Sequence, residues 1–491
     1  MIRRFVPPWL GYLLAAALPQ VQVAQQPVID TLALRTHTGV LAHDSLEGRA
    51  AGSPGERAAA EYIAAQCRAL GLSPAGDAFI QDVPLVEARI LPETRLVVRT
   101  GHGERVFTFP DHVIPDLGTK QTLRGFRGPA AWVGADDSLV VSGGLGDLDL
   151  EGAVAVMIGR ASDAAVDTLI ARRAAGLMHV ALSDETFALY RQSRGRSRLF
   201  HRDSTIPSSQ LSSLPTAIVD ITVARAILGG VDPAPQRLGG ALSLDMAVEG
   251  RAMTSWNVGC VLPGSDPSRA DTAIAFTAHL DHLGIGTPDA SGDSIYNGFS
   301  DNAAGVAMLL AIAKARLGEP ARPRHSWLFL FFGGEERGLL GSDYYVARPS
   351  WPLERIRAVI NLDAGAPPAP PVTWRLAGVD SLGLGAIASD VAARHGWRVT
   401  MSPARANSDY YPFVRRGVPA VFIIPGPAAY EGLSDDSSNA LRRRWDRYHQ
   451  AGDEWRADFP YSGLARYAAF AYWLARALDP PTSRRDPGGK E

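Results

Sequence analysis

Only two cysteines, Cys67 and Cys260, occur in 491 residues. A fold of this size cannot depend on a disulfide framework built from one pair. Two buried free thiols are the simpler reading, and a single bridge between the first amphipathic helix and a strand of the same domain is the alternative. Excess charge of either sign is also missing, since 49 basic and 51 acidic residues leave a net charge of −2. Nothing in that balance would neutralise a run of phosphates, so nucleic acid is not an expected partner. Bilayer-length apolar runs are absent as well. The run from Trp9 to Leu18 is shorter than the roughly 20 residues needed to span a membrane. Arg3 and Arg4 precede it and Ala15, Ala16 and Ala17 lie inside it, so residues 1–24 read as a secretory signal peptide, with an uncleaved anchor as the alternative. Export to the periplasm or the exterior, without stable membrane association after cleavage, is the expectation.

What is present is globular: 46% apolar and 20% charged residues. The length exceeds one ordinary core and predicts a catalytic domain plus a further unit. Glu56 to Leu70 alternates as an amphipathic helix, with Ala59, Tyr62, Ile63 and Cys67 on one face and Gly71 as its stop. From about Arg89 to Asp245 the texture changes to short β-prone runs (LVVRT, VFTFP, AAWVGA, AVAVMIG) broken by Gly and Asp turns. From Trp256 onward, apolar strands (273–278, 326–332, 358–362, 418–424) alternate with helical patterns (302–317, from 338, 460–478). That rhythm predicts an α/β domain with a mixed, largely parallel sheet flanked by helices. The expected division is therefore a discontinuous α/β domain (27–88 and 246–480), a β-rich insert (89–245) and a polar, disordered tail (481–491).

In open α/β sheets functional groups collect beyond the carboxyl ends of strands. Those points here carry metal-binding residue types. One apolar run ends in His279-Leu280-Asp281, which puts an imidazole and a carboxylate on one side of an extended segment, with Asp281 placed to orient His279. Asp301 stands at a predicted helix start, where a carboxylate meets the positive end of the helix and still reaches a cation. The run SWLFLFF delivers Gly333-Gly334-Glu335-Glu336, AVINLD ends in Asp363, and Tyr448-His449 supplies a second imidazole. Singly, each has a plainer reading: an Asp at a helix start is usually an N-cap, and a Glu-Glu pair or a lone His is usually surface. Jointly, the ligands His279, Asp301, Glu336, Asp363 and His449, with Glu335 left for proton transfer, suit two zinc ions and an open position for water.

The stretches AHLDHLG, DSIYNGFSDNAAGVAMLL, FFGGEERGLLGSDYY, INLD and YHQAGDEW resemble the co-catalytic zinc aminopeptidase family that includes aminopeptidases S and Y, glutamate carboxypeptidase II and the transferrin receptor. The resemblance covers residues 41–85 and 245–478, and the segment between resembles the protease-associated domain that many members insert. It implies one zinc on His279 and Asp363, another on Glu336 and His449, Asp301 bridging them, Glu335 as general base and Asp281 orienting His279. It also implies a substrate-side role for Tyr448, Ser408, Asp409 and Phe413. Ser300, often acidic in relatives, and Gln450, often Thr or Ser, depart from the pattern, and neither is a ligand in it. The implied activity is removal of N-terminal residues from peptides with a free N-terminus. A carboxypeptidase or dipeptidase on the same site, and a non-catalytic metal-containing binding protein, are the alternatives. His282 reads as a hydrogen-bonded wall residue, while Arg405 and Arg442 to Arg444 read as solvated or as contacts for a substrate carboxylate.

Overall fold

A computed structural model describes residues 29–480, apart from 118–122, 182, 195–196, 210–213, 230–233, 379–382 and 427–428. The expected signal peptide and tail lie outside the described residues. The first long helix, Pro54–Ala69, starts where the sequence provides for it: the Ser53 side chain accepts from Glu56 N, and Pro54 fills a position whose missing N–H costs nothing. Its buried face, Ala59, Ala60, Ile63, Ala64 and Cys67, docks on the main sheet.

That sheet has ten strands. At its centre four neighbours run parallel: Ala420–Pro425, Ile356–Leu362, Ala273–His279 and Ser326–Phe332. Antiparallel strands flank them, with Val248–Leu262 and Ile80–Ile90 on one side and Thr373–Gly378 on the other. The central strands are apolar throughout because both faces are covered. Along Ser326–Phe332, Trp327, Phe329 and Phe331 enter one core with the helices Ala304–Leu317 and Ser462–Leu478, while Leu328, Leu330 and Phe332 enter the opposite core with Tyr345 and Phe413. The period of two thus feeds two layers.

A second sheet, of eight strands, is formed from residues 95–245. Its middle strands Phe126–Gly134, Val154–Ile158, Gly176–Val180 and Thr216–Val219 run parallel, and helices such as Asp163–Ala171 connect them. The region is therefore less purely β than its turn-rich sequence implies. One strand from within it, Arg198–His201, joins the edge of the main sheet by pairing with Ile80–Ile90. The long strands Ile80–Ile90 and Val248–Leu262 carry the chain out to the second sheet and back, paired residue for residue from Ile80↔Val258 to Ile90↔Val248.

Cys67 and Cys260 form a disulfide, with Cα atoms 6.3 Å apart. This corrects the simpler expectation of two free thiols. The helix packs so closely on the strand that both side chains, fully buried, point at one another. Among the described residues no helix is long and apolar enough to cross a membrane.

Candidate metal centre

Parallel pairing of Ala273–His279 with both of its neighbours brings three strand ends to one edge of the sheet. His279 is the last residue of its strand and lies opposite Phe332. Gly333-Gly334 then turn the chain and present Glu335 and Glu336, while Asp363 directly follows Leu362. A side chain at Gly333 would overlap Glu56 Oε1 and Ser255 Oγ, so this turn demands glycine. Asp301 arrives on the irregular turn Phe299–Ala303 before the helix Ala304–Leu317, and His449 arrives on the loop after the helix Asp435–Trp445.

All five predicted ligands converge. His279 Nε2 lies 2.8 Å from Asp363 Oδ1 and 3.0 Å from Asp301 Oδ1. His449 Nε2 lies 3.1 Å from both Asp301 Oδ2 and Glu336 Oε2. The two oxygens of Asp301 therefore face two different imidazoles, each accompanied by a second carboxylate. His279 and Asp301 are buried, whereas Glu335, Glu336, Asp363 and His449 keep part of their surface open. The cluster is a cleft with one accessible side.

A layer of buried groups fixes these side chains. Nδ1 of His279 donates to the main-chain oxygen of Asp281 at 3.2 Å, and the Asp281 carboxylate, 3.7 Å from that nitrogen, accepts from Glu335 N (3.0 Å) and Glu336 N (3.4 Å). Asp281 thus orients His279 through its backbone and the two glutamates through its side chain. His282, read as a wall residue, pairs its Nδ1 with Glu336 Oε1 at 2.7 Å. Asp453 accepts from Ser300 N and Asp301 N and holds the Asp301 turn, and Asn302 Nδ2 donates to Leu362 O. Sequence reasoning passed over Asp453, although it stands inside the quoted YHQAGDEW stretch.

Three residues expected on the substrate side lie instead beneath the cluster. Ser408, Asp409 and Phe413 are fully buried. Ser408 Oγ donates to Asp363 Oδ2 and accepts from Asn361 Nδ2 at 2.7 Å. Asp409 accepts from Ser342 Oγ at 2.5 Å, and Phe413 packs against Phe332 and Tyr345. The signal that could have placed them is the apolar run YYPFV, whose aromatic residues need a core. Tyr448 is 64% exposed and its ring stacks on His449 at 3.8 Å. Arg405, Arg443 and Arg444 are exposed, the latter two on the last turn of their helix, where positive charge suits the helix dipole.

The electrostatics of the cluster favour cations. Burial alone would lower both imidazoles, yet Asp363 and Glu335 hold His279 well above its usual range, and Asp301 and Glu336 push His449 up to about 10. Burial raises Glu335 well above the usual carboxylate range, and Asp363, Asp409 and Glu336 add to that rise against the pull of His279. The donor set fits zinc: imidazole nitrogens and carboxylate oxygens stand 2.8–3.1 Å apart, near the ~3.3 Å between ligand atoms around a tetrahedral ion with bonds of ~2.0–2.1 Å. His449 Nε2 sits between two carboxylate oxygens, 3.1 Å from each, the position of a donor aimed at an ion.

Residues 257–473 match the model of Peptidase family M28. The probable leucine aminopeptidase 2 of Aspergillus oryzae is 32% identical over 132 residues, which are 26% of this chain and 24% of that protein. The match thus spans about a quarter of that relative's length. Among solved structures, an aminopeptidase from Aneurinibacillus sp. strain AM-1 is 18% identical, with 92% of this chain and 95% of that one covered at a TM-score of 0.54. The zinc aminopeptidase BSAP of Bacillus subtilis is 17% identical, with 92% and 96% covered at a TM-score of 0.50. At these identities the structural likeness speaks for the fold, and it extends over both sheets. The stretch that matches this family model, residues 257–473, holds all five converging residues.

Proposed function

We propose that this chain is an exported metallo-aminopeptidase that uses two zinc ions. The observation that carries the reading is Asp301, whose two oxygens face His279 and His449 on opposite sides. His279, Asp363 and Asp301 would hold one ion, and Glu336, His449 and Asp301 the other. Zinc bound there supplies Lewis acidity, which polarises a carbonyl and lowers the pKa of water. Glu335, beside the ligands and partly open to the cleft, takes the proton of the attacking water at a carboxylate oxygen and returns it to the leaving nitrogen. Asp281 keeps Glu335 on station through the main-chain hydrogen bond at 3.0 Å. Tyr448, exposed beside His449, flanks the substrate.

An accessible ligand cluster supports catalysis over a structural role, because structural zinc sites are closed. The names of the relatives support a substrate with a free N-terminus. The disulfide supports export, since such bonds persist in oxidising compartments. The eight-stranded sheet is proposed as the protease-associated-like insert. The test is hydrolysis of aminoacyl chromogenic substrates beside their N-acetylated versions, with chelator and after zinc is restored. Zinc-dependent cleavage of the free-amine substrates alone is the expected result. Cleavage of blocked substrates would transfer the reading to a carboxypeptidase or dipeptidase, and no turnover with zinc bound would contradict catalysis.

A further inference from the structure

Building on the zinc-peptidase reading, we propose that Arg49 is a positioning residue whose guanidinium fork clamps the two loops carrying His279 and Asp301 and so sets the spacing between the metal positions. Arg49 is 1% exposed. Its Nε donates to Leu280 O at 2.8 Å, its Nη1 to Asn297 O at 2.6 Å and to Leu41 O, and its Nη2 to Gly298 O at 3.0 Å. Leu280 lies between His279 and Asp281, and Gly298 opens the turn to Asp301. One rigid planar group therefore bonds to both loops at once, from a segment some 230 residues away in the chain.

Its bonding is unusual for a buried arginine. Every acceptor is a main-chain carbonyl, and among the described residues no carboxylate lies within ion-pair distance of it. The carboxylates of Asp281, Asp453, Asp301 and Glu336 act on it from farther away and oppose the effect of burial, which brings Arg49 down to about 10 and leaves it charged at neutral pH. The fork thus fixes loop geometry while its charge offsets the acidic cluster without competing for the ligand oxygens.

The backbone around it is built to aim the side chain inward. Glu47, Gly48 and Arg49 take successive left-handed conformations, with φ of 47°, 66° and 50°. Such conformations persist in non-glycine residues only where the surroundings over-determine them. A side chain at Gly48 would overlap Tyr296 O and meet Gly284 O at 2.7 Å, so the turn presses against the hairpin that joins the two loops. Arg49 O accepts from His282 N at 3.1 Å, and Asn297 Nδ2 reaches back to Ala42 O and Asp44 Oδ1.

The test compares the full-length chain with Arg49→Lys, which keeps the charge and loses the fork, and with Arg49→Gln, which loses both. Zinc affinity is read by competition with a chelating dye, folding by circular dichroism and an unfolding midpoint, and turnover on an aminoacyl nitroanilide. The proposal expects Arg49→Lys to fold, to bind zinc about 10- to 100-fold more weakly, and to lose kcat by a similar factor at saturating zinc while KM barely changes. A variant with a lowered unfolding midpoint but wild-type zinc affinity and kcat would reduce Arg49 to a structural role and overturn it. Failure of both variants to fold would overturn it too, because the fold and not the metal loops would then depend on the fork. A wild-type chain that binds no zinc would overturn the zinc-peptidase reading itself, an outcome distinct from loss confined to the variants.

Discussion

Glu335 and Glu336 are adjacent in sequence yet set apart by what surrounds them. Glu336 pairs with His282 and His449, while among the described residues Glu335 is held through its backbone, which would leave its carboxylate for the proposed proton transfer. Glu335→Gln is therefore expected to bind zinc and unfold like the wild type but to lose kcat by about 10²–10⁴-fold; comparing metal content and turnover on one preparation checks this. His449→Ala should lose activity and one of the two proposed ions, read as metal content per chain. The convergence of His279, Glu336 and Asp363 was legible from sequence because each stands at or just past the end of an apolar strand run, whereas Asp301 and His449 arrive on a turn and a loop. Arg49 and Asp453 were not, because their partners are main-chain atoms that leave no residue pattern. Phe413 shows the opposite error: a family likeness suggested substrate contact, whereas it packs between Phe332 and Tyr345. Phe413→Ala should accordingly cost about 3–5 kcal/mol of stability, measured by urea unfolding. A change in KM with stability intact would restore the substrate-side reading.

At the scale of elements, the segment that leads from Arg198–His201 back towards the second sheet is pinned to the helix Leu340–Ala347. Asp343 accepts from Ser209 N at 2.7 Å and from Ser209 Oγ at 2.5 Å. Burial raises Asp343 from 3.8 to about 6, against the two hydrogen bonds and the charges of Arg415 and Arg416. Because the folded pKa lies above the unfolded one, the folded state binds the extra proton between about pH 4 and 6. This group's contribution is thus most favourable in acid and is lost as pH rises through that window, by about 3 kcal/mol at most. Asn at this position can serve the same two partners without ionising. Asp343→Asn should gain stability relative to wild type as pH rises from 4 to 7, whereas Asp343→Ala should lose about 1–3 kcal/mol at pH 5; unfolding midpoints across pH check both. The strands and helices read from the α/β region fall within a few residues of those observed, since periodicity and caps are local, whereas Thr373–Gly378 and Arg398–Ser402 were not read. The crossing of Arg198–His201 to the main sheet was not, because RLFH carries no mark of which edge it will join.

For the whole molecule, the decisive arrangement is a sheet interrupted in sequence and closed in space. The disulfide ties the helix before the second sheet to the strand after it, across 193 residues. By chain entropy a loop of that length is worth roughly 5 kcal/mol, so replacing both cysteines by Ser should lower the urea midpoint markedly and make it insensitive to reductant, unlike the wild type. An equal midpoint in both chains would mean that the bond does not constrain the unfolded state. The fold class was readable because alternating strands and helices admit few solutions, whereas the pairing of the cysteines needed the packing of helix on strand.

The central claim is that Asp301 bridges two metal positions, and anomalous diffraction from zinc-loaded crystals, recorded on both sides of the zinc absorption edge, tests it most directly. The account predicts two peaks, one beside His279 and Asp363 and one beside Glu336 and His449, with an oxygen of Asp301 next to each. A single peak, or zinc held without Asp301, would contradict it.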